Sequence, residues 1–140
     1  MIPLWIEMKS NGMINHVEVN VSNLSHSRKF WGLFLTKLGY ELYQDWGSGF
    51  SYIKEGTYIV FVQTRKPYLN LKYHRSGTGL NHIAFLVKSK REVDGFRELI
   101  RNYGLVELYS EKYPHAGGDD NYALFFEDPD RIKVEVTCEI

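Results

Sequence analysis

The chain has 140 residues, 17 Lys+Arg against 17 Asp+Glu, and a formal net charge of zero. A balanced charge argues against a nucleic-acid binder or an anionic-membrane binder, both of which need a basic excess. One cysteine, Cys138, excludes an internal disulfide framework and a cysteine-based zinc cluster. The longest early apolar run, Ile2 to Ile6, contains Pro3 and is too short for a signal peptide or a membrane span. A cytoplasmic domain with a ring-rich core is the expectation.

Residues 1–12 fit no element and are read as an N-terminal extension, with Trp5 as a residue that can dock. From Met13 onward the sequence is written twice. Asn15-His16-Val17 recurs as Asn81-His82-Ile83, an offset of 66 (81 less 15). The same offset pairs Val19 with Phe85, Val21 with Val87, Phe30 with Phe96 and Leu33 with Leu99. Farther along, an offset of 72 aligns Val60 with Ile132, Val62 with Val134 and Gln63 with Glu135. Two copies make a duplication rather than a solenoid.

In chain order, Ile14 to Val21 alternates apolar and polar residues, as a half-buried strand does. Ser25 to Leu38 places Phe30, Trp31, Phe34, Leu35 and Leu38 at helical spacing, and Gly39 suits the left-handed cap. Strands follow at Tyr40–Asp45, Phe50–Lys54 and Tyr58–Gln63, the last after the turn Lys54-Glu55-Gly56-Thr57. A basic linker over 65–79 leads to the second copy: a strand from His82, then a helix opened by the capping box Ser89…Glu92. Strands at Leu105–Ser110, Tyr122–Phe126 and Ile132–Thr137 complete it, with Asp128-Pro129-Asp130 as the turn. The expected architecture is α+β: two βαβββ modules (about 13–64 and 80–138) in one domain over 13–140. They form a curled mixed sheet, a cup with helices on the outer face.

Strand alternation puts His16 opposite the valines of its strand, and His82 opposite Ile83, Phe85 and Val87. Glu135 lies opposite Val134 and Val136, and Gln63 opposite Val60 and Val62. If the helices cover the valine faces, all four polar residues converge on the concave side. Two imidazoles and a carboxylate suit Zn, Ni, Mn, Co or Fe(II), with Gln63 or water in a fourth place. Glu18 shares the face of His16 and is a candidate base or partner of an imidazole. Lys133 shares that of Glu135; it either neutralises Glu18 or holds an anionic substrate group. The polar loop Tyr109 to Asn121 reads as a lid. His115 and Tyr122 are the candidate substrate contacts there, His115 reading otherwise as a solvent-exposed loop histidine and the Tyr122 hydroxyl as a donor to a metal-bound oxygen. Trp46, Phe50, Tyr52 and Phe61 are candidate pocket rings, with core packing as the default reading of each. His26 and His74 read as surface residues.

From Met13 to Thr137 the chain resembles the vicinal oxygen chelate superfamily, which includes glyoxalase I, fosfomycin-resistance proteins, extradiol dioxygenases and bleomycin-resistance proteins. The resemblance is carried by Ile14-Asn15-His16, by Gly79-Leu80-Asn81-His82-Ile83-Ala84-Phe85, and by Phe126-Glu127-Asp128-Pro129-Asp130 leading to Ile132-Lys133-Val134-Glu135-Val136. It implies one divalent metal ion held by His16, His82, Glu135 and Gln63. It also implies a small substrate chelated through adjacent oxygens, with Glu135, Glu18 and Tyr122 as the catalytic group. Where the family's last turn usually reads Asp-Pro-Asp-Gly, this chain has Arg131. The alternative is a metal-free small-molecule binder of the bleomycin-resistance kind. A homodimer is the expected assembly.

Overall fold

The structure, a computed structural model, describes residues 11–139. The extension read over 1–12 falls almost wholly outside them, Trp5 included. The chain divides into two compact units, the first ending at Leu71 and the second starting at Lys72. Among the described residues each unit holds one α-helix and one four-stranded sheet, so the eight described strands sort into two mixed sheets.

Unit 1 comprises β1 (His16–Val21), α1 (Leu24–Lys37), β2 (Glu41–Trp46), β3 (Gly49–Lys54) and β4 (Thr57–Gln63), with strand order β1-β4-β3-β2. β1 runs parallel to β4, because the crossover between them contains α1; the remaining neighbours are antiparallel and joined by tight turns. Asn23 caps α1 by accepting from the His26 amide at 3.0 Å. At the other end Gly39 takes φ +92, and the Tyr40 amide reaches back to the Leu35 carbonyl. The β3–β4 turn has φ +50 at Glu55 and +80 at Gly56, a primed turn whose twist matches the strands it joins.

The core of unit 1 lies between α1 and one face of the sheet. Trp31 stacks on Phe61 at 4.8 Å, and Phe61 on Phe50 at 5.1 Å. Trp31, Phe34, Leu35, Phe50 and Phe61 are fully buried. Deleting any of these rings leaves a cavity that the close-packed neighbours cannot fill.

Unit 2 repeats the plan with β5 (His82–Val87), α2 (Lys90–Asn102), β6 (Val106–Leu108), β7 (Tyr122–Glu127) and β8 (Lys133–Cys138), in the order β5-β8-β7-β6. The capping residue is Ser89, whose hydroxyl accepts from the Glu92 amide. Val93 and Ile100 of α2 pack on Leu124, Phe126, Val134 and Val136, all buried. Tyr103 caps the helix and is 60% exposed. β6 is shorter than read because the chain turns left-handed at Tyr109, φ +57. In the last turn, Asp128 Oδ1 accepts from the Asp130 and Ile132 amides, both at 2.8 Å. Arg131 occupies the left-handed position at φ +67. No described helix is long and apolar enough to cross a membrane.

Candidate functional site

Register decides which side chains share a face, because residues paired across neighbouring strands point the same way. In unit 2, His82 pairs with Lys133 and Ala84 with Glu135. Glu135 also pairs with Phe125 of β7. His82, Lys133, Glu135 and Phe125 therefore lie together on the face that α2 does not cover.

The central contact of that face is His82 Nε2 to Glu135 Oε1, at 3.0 Å. The other ring nitrogen, Nδ1, donates to Asn81 Oδ1 at 2.7 Å. That bond fixes the ring with Nε2 facing the carboxylate. The pair stands at hydrogen-bond distance, and an imidazole with a carboxylate is a donor set whose chemistry fits a divalent ion. Glu135 is buried, and His82 is half-buried against the edge of the Phe125 ring.

Unit 1 presents the same imidazole device. His16 Nδ1 bonds Asn15 Oδ1 at 2.7 Å, and the His16 ring stacks on Tyr58 at 4.7 Å with the planes 8° apart. The Tyr58 ring in turn meets Tyr43. His16 pairs with Tyr58, Glu18 with Val60 and Asn20 with Val62. The helix-free face of unit 1 thus carries His16, Glu18 and a run of rings. Glu18 is exposed on it. Trp46 joins it at the far edge, its ring over Gly49 and its Nε1 donating to the Ser48 hydroxyl at 2.9 Å.

Gln63 is elsewhere. It pairs with Val21, on the helix-covered face. Its Oε1 accepts from the Leu24 amide at 2.9 Å, and its Nε2 donates to the Ser22 and Thr64 carbonyls at 2.8 and 3.3 Å. The side chain fastens the start of α1 to the end of β4. The expectation that it shares a face with His16 rested on aligning Gln63 with Glu135. By register the equivalents are Tyr58 with Lys133 and Val60 with Glu135, an offset of 75 (135 less 60) rather than 72. Three residues of slip is an odd number, and an odd slip exchanges the faces of a strand.

Phe50, Phe61 and Tyr52, read as pocket rings, also belong to the helix-covered face. Phe50 pairs with Phe61 and Tyr52 with Ile59. Tyr52 reaches α1 so closely that a Cβ on Gly32 would stand 3.0 Å from its hydroxyl. Tyr122 pairs with Cys138 on the α2 side, and its hydroxyl donates to Asp94 Oδ1 at 2.7 Å. This contact directs it away from His82, because residue 122 differs in parity from Phe125. The Tyr113 hydroxyl donates to the same oxygen of Asp94. Both phenols are pushed above their ordinary range, Tyr113 first by burial and Tyr122 first by its bond to Asp94. His115 is exposed, its Nδ1 on the Asn121 carbonyl oxygen at 2.7 Å. The loop from Tyr109 to Asn121 is thereby tied to α2. Cys138 is a buried free thiol.

Tyr43, Tyr58, Tyr109 and Phe125 flank the two histidines without having been singled out from sequence. Strand register counted from His16 and His82 finds Tyr58 and Phe125; Tyr43 sits at a β-bulge and Tyr109 beyond the end of β6, where register gives no signal. Among the described residues no three histidine, cysteine, aspartate or glutamate side chains form a ready metal-holding group. The donor pair that unit 2 supplies by itself is His82 with Glu135.

A duplicated βαβββ chain, with an asparagine-fixed histidine at the head of each first strand and a glutamate on the last, defines a class. Residues 13–136 match the model of the Glyoxalase/Bleomycin resistance protein/Dioxygenase superfamily, and the chain belongs to that superfamily. It is 50% identical over 125 residues to the uncharacterized protein YqjT of Bacillus subtilis (strain 168), covering 89% of this chain and 98% of that one. A crystal structure of a candidate glyoxalase from Bacillus halodurans is 46% identical, with TM-score 0.90, over 91% of this chain and 96% of that one. The fosfomycin resistance protein FosX of Listeria monocytogenes shares the fold, with TM-score 0.67 and 20% identity, over 94% of this chain and 96% of that one.

Proposed function

We propose that this chain is a divalent-metal-dependent enzyme acting on a small substrate that offers two adjacent oxygens. The observation that carries the reading is the 3.0 Å pair of His82 Nε2 and Glu135 Oε1, with the imidazole fixed by Asn81. His16, with the same asparagine-fixed ring in unit 1, enters the proposal as a third ligand on the family resemblance alone. Gln63 is left out, because its amide already holds α1. A bound ion would supply Lewis acidity toward substrate oxygens. Zn, Ni, Mn, Co and Fe(II) all suit imidazole and carboxylate donors.

The protein's own residues divide the remaining work. Asn15 and Asn81 orient the two imidazoles. Glu18, exposed two residues from His16 on the same face, is the general base. Tyr43, Tyr58 and Trp46 give the substrate an apolar wall. A homodimer remains part of the proposal, supported by exposed Ile14, Val17, Leu80 and Leu86 in and beside the first strands of the two units.

The test is reconstitution with each ion singly, followed by a screen of methylglyoxal–thiol adducts, fosfomycin and catechols. Turnover that depends on the ion and vanishes in Glu135→Gln supports the reading. Turnover with iron alone selects the dioxygenase branch. Tight binding of a planar compound by metal-free protein, with no turnover under any ion, replaces the reading with a sequestering protein.

A further inference from the structure

We propose that the substrate carries an oxyanion group and that Lys133 receives it. The inference deepens the metal-centre reading and rests on it only for the identity of the neighbouring group. Lys133 is half-buried at the head of β8, on the same face as Glu135 and in register with His82.

Its ammonium has an unusual environment. It stands 5.6 Å from the Tyr109 ring centroid and 5.8 Å from that of Phe125. Among the described residues no carboxylate lies within ion-pair distance of it. Its neighbouring carboxylates face other groups. Glu127, its register partner on β7, takes Arg75 at 2.8 Å and Arg131 at 3.6 Å. Glu135 faces His82. Elsewhere in the unit, Arg97 and Arg101 share Glu107.

Two aromatic faces attract a cation without cancelling its charge. They also keep water from one side of it, which strengthens its pull on an arriving anion. An ammonium on a flexible stem then works as a movable point charge beside the metal ligands. Tyr109 adopts φ +57, a left-handed conformation disfavoured for a ring-bearing residue, while placing its ring there. Unit 1 has Tyr58 at the equivalent position, so the feature belongs to one module alone.

The probes are methylphosphonate and acetate, titrated into the full chain and followed by amide shifts in NMR. Wild type, Lys133→Met and Lys133→Arg are compared, each metal-free and with one equivalent of zinc. Zinc content is measured separately. The proposal expects saturable binding of at least one probe by wild type. Lys133→Met should weaken it about tenfold or more, the scale of one charge-assisted hydrogen bond. Lys133→Arg should restore most of it, and both variants should keep the wild-type melting temperature and zinc content. Whichever probe binds more tightly identifies the group as phosphonate-like or carboxylate-like. Wild type that binds neither probe, or Lys133→Met that binds as tightly as wild type, overturns the proposal. Failure of wild type to hold zinc overturns the metal reading and leaves the Lys133 result standing.

Discussion

Val60 and Glu135 hold the same place in the two units: Val60 pairs with Glu18, third residue of β1, and Glu135 with Ala84, third residue of β5. The duplicated modules have diverged at that position and at the one two residues before it. One last strand offers Tyr58 and Val60, the other Lys133 and Glu135. The last strand with the carboxylate also carries the lysine, so at these two positions the charged pair belongs to unit 2 and the ring with its valine to unit 1.

Gln63 fastens α1 to the sheet through three hydrogen bonds to backbone. Gln63→Ala should leave metal content unchanged. It should cost about 1–3 kcal/mol, because it strips partners from half-buried backbone groups. Urea denaturation alongside elemental analysis checks both; loss of metal with full stability would return Gln63 to the ligand set.

The Trp31–Phe61–Phe50 stack is the centre of the first core. Phe61→Ala should destabilise by about 3–5 kcal/mol, the cost of emptying a fully buried aromatic site. A shift in the urea midpoint measures it.

Asp94 accepts hydrogen bonds from Tyr113 and Tyr122 and holds both phenols neutral beyond their usual value of 10.0. A folded-state value raised above the unfolded one gives stability that is complete below pH 10 and is lost as pH rises beyond it. The melting temperature should therefore fall above about pH 10, and Asp94→Asn should flatten that fall. Proteolysis within residues 109–121 should quicken over the same range.

Arg131 sits at φ +67 in the last turn, where its family resemblance leads one to expect glycine. Its guanidinium meets Glu127 at 3.6 Å while 66% exposed, a contact worth at most about 1 kcal/mol. Relief of the left-handed strain is worth about 1–2 kcal/mol. Arg131→Gly should therefore be neutral to slightly stabilising, read as an unchanged or raised melting temperature.

Both helices, the turns and the order of strands were legible in the sequence, because apolar spacing, caps and Gly-containing turns are local signals. The strand faces that carry His16, His82 and Glu135 were legible because Asn-His recurs at a fixed offset and β8 alternates cleanly. Gln63, Phe50, Tyr52 and Phe61 were misplaced for one shared reason. β4 is apolar on both faces, and in β3 Ser51 is buried as fully as Phe50, so alternation gives no sign of which face the helix covers. Only pairing with β1 settles it. Tyr122 was misplaced because a strand-opening residue after a long loop has no local marker of parity. The rings around Lys133 come from β7 and from the turn at Tyr109, whose left-handed backbone no pattern in the sequence announces.

The most direct test of the metal centre is elemental analysis of the purified chain beside His82→Ala, Glu135→Gln and His16→Ala. The account predicts one divalent ion per wild-type chain and its loss in each variant, with the fold retained by circular dichroism. Wild type without bound metal after reconstitution, or Glu135→Gln holding a full equivalent, would contradict it.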